Sequence, residues 1–341
     1  MNFSKSLIKW YDHNKRDLPW RTTRDPYKIW ISEIILQQTK VKFGLKYYLK
    51  FLQKFPTIYD LSDAKENEVL KVWEGLGYYS RARNLHYTSN FIVNNLNGKF
   101  PNTYQEILNL KGIGAYTAAA ISSFAFKLPF AVLDGNVIRL LSRYFGIKVP
   151  FDNVRGKKLF QQLSQELLNN NAPDLHNQAI MEFGALICKP KLPKCDICHF
   201  NNLCYAFNYN LVKKLPIKQK KIKIKKRYIN YIIIENNNFC FVKKRNEGIW
   251  RGLYEFPKIE TEDSLYVPNS KNFSKYLKNK CSIIRFSDII IHKLSHQHIY
   301  AKFWHLQSNI NHLESCIKVR FNKLSKYPFP TLILNYLKHN F

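Results

Sequence analysis

Two carboxylates and a cysteine cluster are the residues of this chain whose types and spacing suit chemistry. Glu33 lies in Ile29-Trp30-Ile31-Ser32-Glu33-Ile34-Ile35-Leu36, an apolar helical stretch with few charged neighbours in sequence. Burial there raises a carboxyl pKa and keeps a proton available for donation. Asp134, in Leu133-Asp134-Gly135-Asn136-Val137, precedes another helical stretch. Exposed amides and the positive end of a helix dipole favour the ionised form at such a position. One acid and one anion is the division of labour for cleaving a glycosidic bond through an oxocarbenium-like transition state. Each residue also has a plain structural reading, as a solvated helix-face glutamate and as an N-cap aspartate.

Cys188, Cys195, Cys198 and Cys204 form C-x6-C-x2-C-x5-C within seventeen residues. Four thiolates so close suit a tetrahedral sulfur site. Zinc sites more often pair two short C-x2-4-C knuckles, so the uneven spacing favours a [4Fe-4S] cluster over zinc, with His199 a spare donor. Cys240, Cys281 and Cys316 are scattered singly and read as small hydrophobes. A third feature is Leu110-Lys111-Gly112-Ile113-Gly114-Ala115-Tyr116-Thr117, which leads into the small-residue run AAAISSFAF. Gly112 and Gly114 permit backbone angles and a close approach that a Cβ obstructs, so amides at the next helix's N-terminus can point at one phosphate oxygen. The bland alternative is a C-cap glycine followed by a tight turn.

The elements that must hold these residues change character along the chain. Up to about Leu211 the apolar spacing is helical, with a capping box at Thr103-Tyr104-Gln105-Glu106 and a helix over QAIMEFGALIC. Residues 213–227 (KKLPIKQKKIKIKKR) read as a basic linker. Beyond it Tyr228–Ile234, Phe239–Lys243 and Ile299–Leu306 read as strands, Glu235-Asn236-Asn237-Asn238 as a turn, and PTLILNYLKHNF as a helix. The expected fold is multidomain: an all-α helix-hairpin-helix domain over residues 1–212 with the cysteine loop at 188–204, and a smaller α/β domain over 228–341.

The chain has 341 residues, 45% of them hydrophobic, enough for about two domains and too many for disorder. Its 54 Lys and Arg against 24 Asp and Glu give a net charge of +30, which points to a polyanion such as nucleic acid or an anionic membrane surface. The abundance of Lys, Asn, Ile, Tyr and Phe is also what an AT-rich genome produces. No apolar run approaches the roughly 20 residues of a membrane span and the N-terminus lacks a signal-peptide core, so a cytoplasmic protein with reduced cysteines is expected.

Together these segments resemble the helix-hairpin-helix DNA glycosylase superfamily and, within it, the MutY family of adenine DNA glycosylases. The resemblance spans nearly the whole chain and is carried by ISEIILQQTKV (31–41), WEGLGYYSRARNL (73–85), LKGIGAYTAAAI (110–121), LDGNVIRLLSR (133–143) and the cysteines. Relatives similar to endonuclease III place a lysine nucleophile after the hairpin, where this chain has Tyr116; a phenol forms no Schiff base, so a monofunctional glycosylase using water is implied. The resemblance implies that an adenine rotates out of the duplex, that Glu33 protonates its N7, and that Asp134 stabilises the cationic sugar. Gln178 matches an adenine-contacting position, and Arg21 and Trp30 are implied as pocket walls. Gln38, Thr39, Leu76 and Tyr78 are implied wedges that hold the duplex open, and Arg81 and Arg83 either reach phosphates or form a solvated helix face.

The C-terminal part resembles the Nudix-like module with which this family reads 8-oxoguanine, through GIWRGLYEFP (248–257) and the loop Leu294-Ser295-His296. Ser295 and His296 offer compact donors; Leu294 stands where the family loop more often has Phe, and the glutamate-rich hydrolase box is missing. The expected partner is double-stranded DNA containing A:8-oxoguanine or A:G, bound by a monomer with no membrane role. Excision from other mispairs, attack on oxidised pyrimidines, and DNA binding without catalysis are the alternatives.

Overall fold

The computed structural model describes residues 3–219, 223–261 and 282–340. The chain forms two compact units, one from Met1–Asp63 with Tyr87–Lys220, the other from Ala64–His86 with Lys221–Phe341.

The first unit is helical: α1 (Phe3–Asn14), α2 (Pro26–Leu36), α3 (Val41–Lys54) and α4 (Ile58–Asp63), then, after α5 (Glu66–Val72) of the second unit and α6 (Ser80–Leu96), which supplies residues to both, α7 (Tyr104–Asn109), α8 (Ala115–Phe126), α9 (Gly135–Phe145), α10 (Val154–Glu166), α11 (Pro173–Leu186) and α12 (Tyr205–Asn208). Helix α2 starts at Asp25, whose carboxylate accepts from the Tyr27 amide at 2.9 Å, with Pro26 preset for the first turn. Tyr27 and Ile29 through Ile35 are all buried, so α2 is a core helix and Glu33 goes inside with it. Alanines and serines keep α8 slim beside α2, and Gln37 Nε2 donates to Thr117 Oγ1 at 3.3 Å between them. Around α1, α8, α9 and α11 a single apolar cluster gathers Trp10, Leu140, Ile180, Phe183 and Phe200. At the expected capping box the Glu106 amide donates to Thr103 Oγ1 at 3.4 Å, while the Glu106 carboxylate takes the Thr103 hydroxyl at 2.7 Å.

The second unit is α/β. Its five-stranded sheet runs β4 (Lys258–Thr261), β1 (Lys225–Glu235), β7 (Gln297–Gln307), β5 (Ser282–Phe286), with β6 (Ile290–Lys293) also on β7; β3 (Tyr254–Glu255), β2 (Phe239–Lys244) and β8 (Ile317–Arg320) form a second sheet. Strands β1 and β7 pair in parallel over eleven positions, and β1 is buried from Ile229 to Ile234, as a central strand must be. Ile232, Ile234, Phe241, Trp304 and Leu306 form one core cluster. The C-terminal helix α13 (Thr331–Asn340) lays Tyr336 flat on Phe303, ring centroids 3.8 Å apart.

Two features differ from the sequence expectation. Strand β1 begins at Lys225, inside the stretch read as linker, because Lys225–Arg227 pair in register with Gln297–Ile299; charge density hid a strand whose outer end faces solvent. Residues 64–86 also group with the C-terminal unit. Glu74 Oε1 accepts from the Phe329 amide at 3.0 Å, Arg83 donates to the Arg251 carbonyl at 2.6 Å, and Lys71 donates to the Tyr327 carbonyl at 3.2 Å. Composition along a chain cannot reveal such pairings. Among the described residues no helix is long and apolar enough to cross a membrane.

Candidate active site

A cavity of about 710 Å³ in the helical unit is lined by Glu33, Asp134 and Tyr116 together with Arg21, Gln38, Thr39, Gly114 and Gln178. Helix α2 supplies its Ile29, Ser32, Glu33 and Leu36 face, one stripe at helical spacing. Glu33 is 6% exposed, and the Tyr116 hydroxyl donates to its Oε2 at 2.9 Å. Burial pushes the Glu33 carboxyl up to about 7, the tyrosine bond opposing and the nearby Asp134 charge adding to the rise. A group with that pKa is protonated in about half of the molecules at neutral pH, against almost none for an ordinary glutamate.

Asp134 caps α9. Its Oδ1 accepts from the amides of Asn136 and Val137, each at 2.8 Å, and its Oδ2 accepts from Asn136 Nδ2 at 2.7 Å. Burial raises its pKa, while those three donors and Arg139 favour the anion. The cap is fixed from behind: Arg139 donates to Asn136 Oδ1 at 2.8 Å, to the Gly184 carbonyl at 2.7 Å and to the Cys188 carbonyl at 2.6 Å. Gly184 allows this closeness, since a Cβ there would stand 2.7 Å from the Cβ of Asn136. Hydrogen bonds therefore run from Asp134 through Asn136 and Arg139 to the first cysteine of the cluster.

The hairpin glycines divide their tasks. Gly112 has φ +84, the left-handed region that favours glycine. Gly114 is the N-cap of α8 at an ordinary φ, and the space a Cβ would occupy is open, leaving the helix start accessible. Gln38, at the C-terminal end of α2, has φ +57, and Tyr78 in the second unit has φ +46; both side chains are exposed. Residues held there in spite of a Cβ point to functional positions. The Tyr78 hydroxyl shares a 2.8 Å hydrogen bond with Ser295 Oγ, and Ser295 and His296 are exposed in the turn between β6 and β7.

Several sequence expectations need correction. Trp30 is 1% exposed, does not line the cavity, and meets Tyr27 and Phe100 edge-on; it projects about 100° around the helix from Ile29, off the cavity stripe. The tryptophan in the cavity wall is Trp20, in the 3-10 turn Pro19–Arg21. Leu76 is buried within the second unit. Arg81 is buried against Trp73 and Tyr78 and donates to the Gly77 carbonyl at 3.1 Å, so it braces its loop; Arg83 is held by Arg251 as described. Sequence reading also missed Glu182, 1% exposed, whose carboxylate takes Arg16 at 2.5 Å and Arg21 at 2.5 Å. Burial works to raise the Glu182 pKa, but the two guanidiniums prevail and hold it at about 2. Tyr11 donates to Gln178 Oε1 at 2.5 Å beside this clamp. The roughly two and a half helical turns from Gln178 to Leu186 gave no charge pattern that singles out Glu182.

Cys188, Cys195, Cys198 and Cys204 are free thiols lining one cavity, with Arg143 Nη1 3.4 Å from Cys188 Sγ. A single zinc draws its sulfurs to about 3.8 Å of one another. Among the described residues no three His, Cys, Asp or Glu side chains converge to hold one ion. Four cysteines around one cavity, with a buried guanidinium beside the first of them, are a donor set that suits a sulfur-ligated metal centre. Cys240 is buried and Cys316 half-buried; Cys281 lies outside the described residues.

Residues 31–169 match the HhH-GPD superfamily of base excision DNA repair proteins, and residues 230–339 match the NUDIX domain. The chain is 39% identical over 305 residues to the adenine DNA glycosylase of Buchnera aphidicola subsp. Baizongia pistaciae, covering 87% of this chain and 84% of that one. It is 35% identical to the adenine DNA glycosylase of Arabidopsis thaliana, covering 85% of this chain and 54% of that one. Among solved structures, a thermostable thymine-DNA glycosylase superposes with TM-score 0.56 at 32% identity, over 61% of this chain and 95% of that one. A non-covalent endonuclease III–DNA complex superposes with TM-score 0.53 at 20% identity, over 61% of this chain and 94% of that one, a likeness of fold.

Proposed function

This chain belongs to the adenine DNA glycosylases of base excision repair, and from that membership we propose that it releases adenine paired with 8-oxoguanine, or with guanine, in duplex DNA. The observation that carries the chemistry is a proton-bearing buried carboxyl, Glu33, in the same cavity as a hydrogen-bonded carboxylate, Asp134. Glu33 donates its proton to N7 of the extruded adenine, making a neutral leaving group. As the C1′–N9 bond lengthens, Asp134 stabilises the positive sugar, and water completes the displacement to leave an abasic site. Tyr116 holds the Glu33 carboxyl in place. Gln178, its oxygen engaged by Tyr11, has its amide nitrogen left to donate to the purine, and Arg21 and Trp20 wall the base.

Gly112 and Gly114 approach a phosphate, and the exposed Gln38 and Tyr78, with Thr39, support the opened duplex. Ser295 and His296 read the oxidised base, a role supported by the exposed bond between Tyr78 and Ser295. Cys188, Cys195, Cys198 and Cys204 hold a [4Fe-4S] cluster, which when bound supplies a redox-capable centre that ties the 188–204 loop together. Anaerobic protein with broad visible absorbance supports the cluster, and a colourless zinc-loaded preparation overturns it.

The deciding experiment incubates the protein with A:8-oxoguanine, A:G and A:T duplexes and then treats them with alkali. Cleavage of the adenine strand, fastest opposite 8-oxoguanine, is expected. Equal cleavage of all three refutes the lesion assignment, and no cleavage refutes the activity.

A further inference from the structure

Helix α3 opens on the cavity, since its first residue, Val41, lines the wall beside Gln38 and Thr39. Its four lysines, Lys42, Lys46, Lys50 and Lys54, fall at intervals of four and are all exposed, opposite the buried Gly44, Tyr48 and Phe51. They are the whole lysine content of the helix, and α3 contains no Asp or Glu. Among the described residues no carboxylate pairs with any of them. Like charges at this spacing destabilise a helix by about 0.2–0.5 kcal/mol a pair, so the row works against the element that bears it. At four-residue spacing the lysines advance about 40° each, a slanting row over about 120° of one exposed face of α3.

The row covers about 18 Å at 1.5 Å per residue. A duplex strand carries a phosphate about every 3.4 Å of axis, so an aligned backbone presents at least one phosphate to each ammonium. We propose that the outer face of α3 is a phosphate-tracking surface that engages the duplex flanking the reacting base pair. This rests on duplex DNA being the partner, not on which base stands opposite the adenine. An anionic membrane is the competing polyanion, since Phe43 and Leu49 border the row. The continuity of the row with the cavity rim favours DNA, whose backbone must pass that rim for a base to enter.

The test uses the full chain and an undamaged duplex, so it is independent of the lesion assignment. Lys42, Lys46, Lys50 and Lys54 are replaced together by Gln; a control replaces Lys157, Lys158, Lys323 and Lys326, all exposed, by Gln for the same change in net charge. The slope of log affinity against log salt is expected to fall by about 2 to 3.6, roughly 0.9 for each phosphate released, with at least about tenfold weaker binding at 0.1 M salt. The control is expected to move the slope by less than half as much, and a Lys→Arg version of the row to keep it. Trimming the duplex from one flank is expected to erase the difference between wild type and variant. An unchanged slope in a variant with wild-type circular dichroism, an equal loss in the control, or a loss confined to binding of anionic phospholipid vesicles overturns the proposal.

Discussion

Replacing Tyr116 with phenylalanine removes one hydroxyl and keeps the ring that packs against the helical core. The lost 2.9 Å bond to Glu33 Oε2 is the interaction that opposes the burial of that carboxyl. A hydrogen bond to an ionised group contributes about 1.5–3 kcal/mol. At 1.36 kcal/mol per pH unit that corresponds to about 1 to 2 units. The bond favours the carboxylate over the acid, so its loss raises the pKa further, from about 7 toward about 8 to 9. A general acid works in its protonated form, so adenine release declines as pH rises through this pKa. The measurement is the single-turnover rate on an A:8-oxoguanine duplex from pH 5.5 to 10, read by alkali cleavage. Wild type is expected to lose activity with a midpoint near 7, and Tyr116→Phe is expected to retain it about 1 to 2 units further into alkali. A midpoint that stays put, or moves toward acid, refutes Glu33 as the proton donor or Tyr116 as its partner.

Glu33→Gln and Asp134→Asn are each expected to slow base release by at least about 10²-fold while duplex affinity is kept, measured by single-turnover cleavage beside a binding titration. Glu182→Gln leaves Arg16 and Arg21 facing an uncharged buried partner and is expected to cost about 3–5 kcal/mol in chemical denaturation. Because Glu182 is held near 2, its contribution is complete above pH 4.5 and lost as pH falls toward 2; a variant whose acid unfolding matches wild type over that window contradicts the clamp. Ser295→Ala is expected to narrow the rate difference between A:8-oxoguanine and A:G duplexes, and an unaltered ratio removes Ser295 from lesion reading.

The helical unit was legible because its signals are local. Thr103 and Asp134 announce helix starts, and the apolar run around Glu33 announces burial. What sequence could not reveal is which side of a fully buried helix meets a cavity. Every residue of Ile29–Ile35 is apolar or buried, so periodicity gave no direction, and Trp30 was assigned to a wall that Trp20 supplies. The Glu182 clamp was equally invisible, since its partners Arg16 and Arg21 lie 166 and 161 positions away. In the second unit, the apolar β-branched run was clear from Tyr228 onward, while the lysines of 225–226 masked the first rungs of β1.

Grouping residues 64–86 with strands far later in the chain bears on how the chain can be cut. A fragment ending at the basic stretch keeps Lys71, Glu74 and Arg83 but loses the Tyr327, Phe329 and Arg251 backbone groups they bond, and the complementary fragment lacks those three side chains. Scission there leaves those polar groups to water in both pieces, and a cut protein whose halves co-purify is the outcome this wiring dictates. During synthesis the same segment leaves the ribosome well before the backbone groups it bonds.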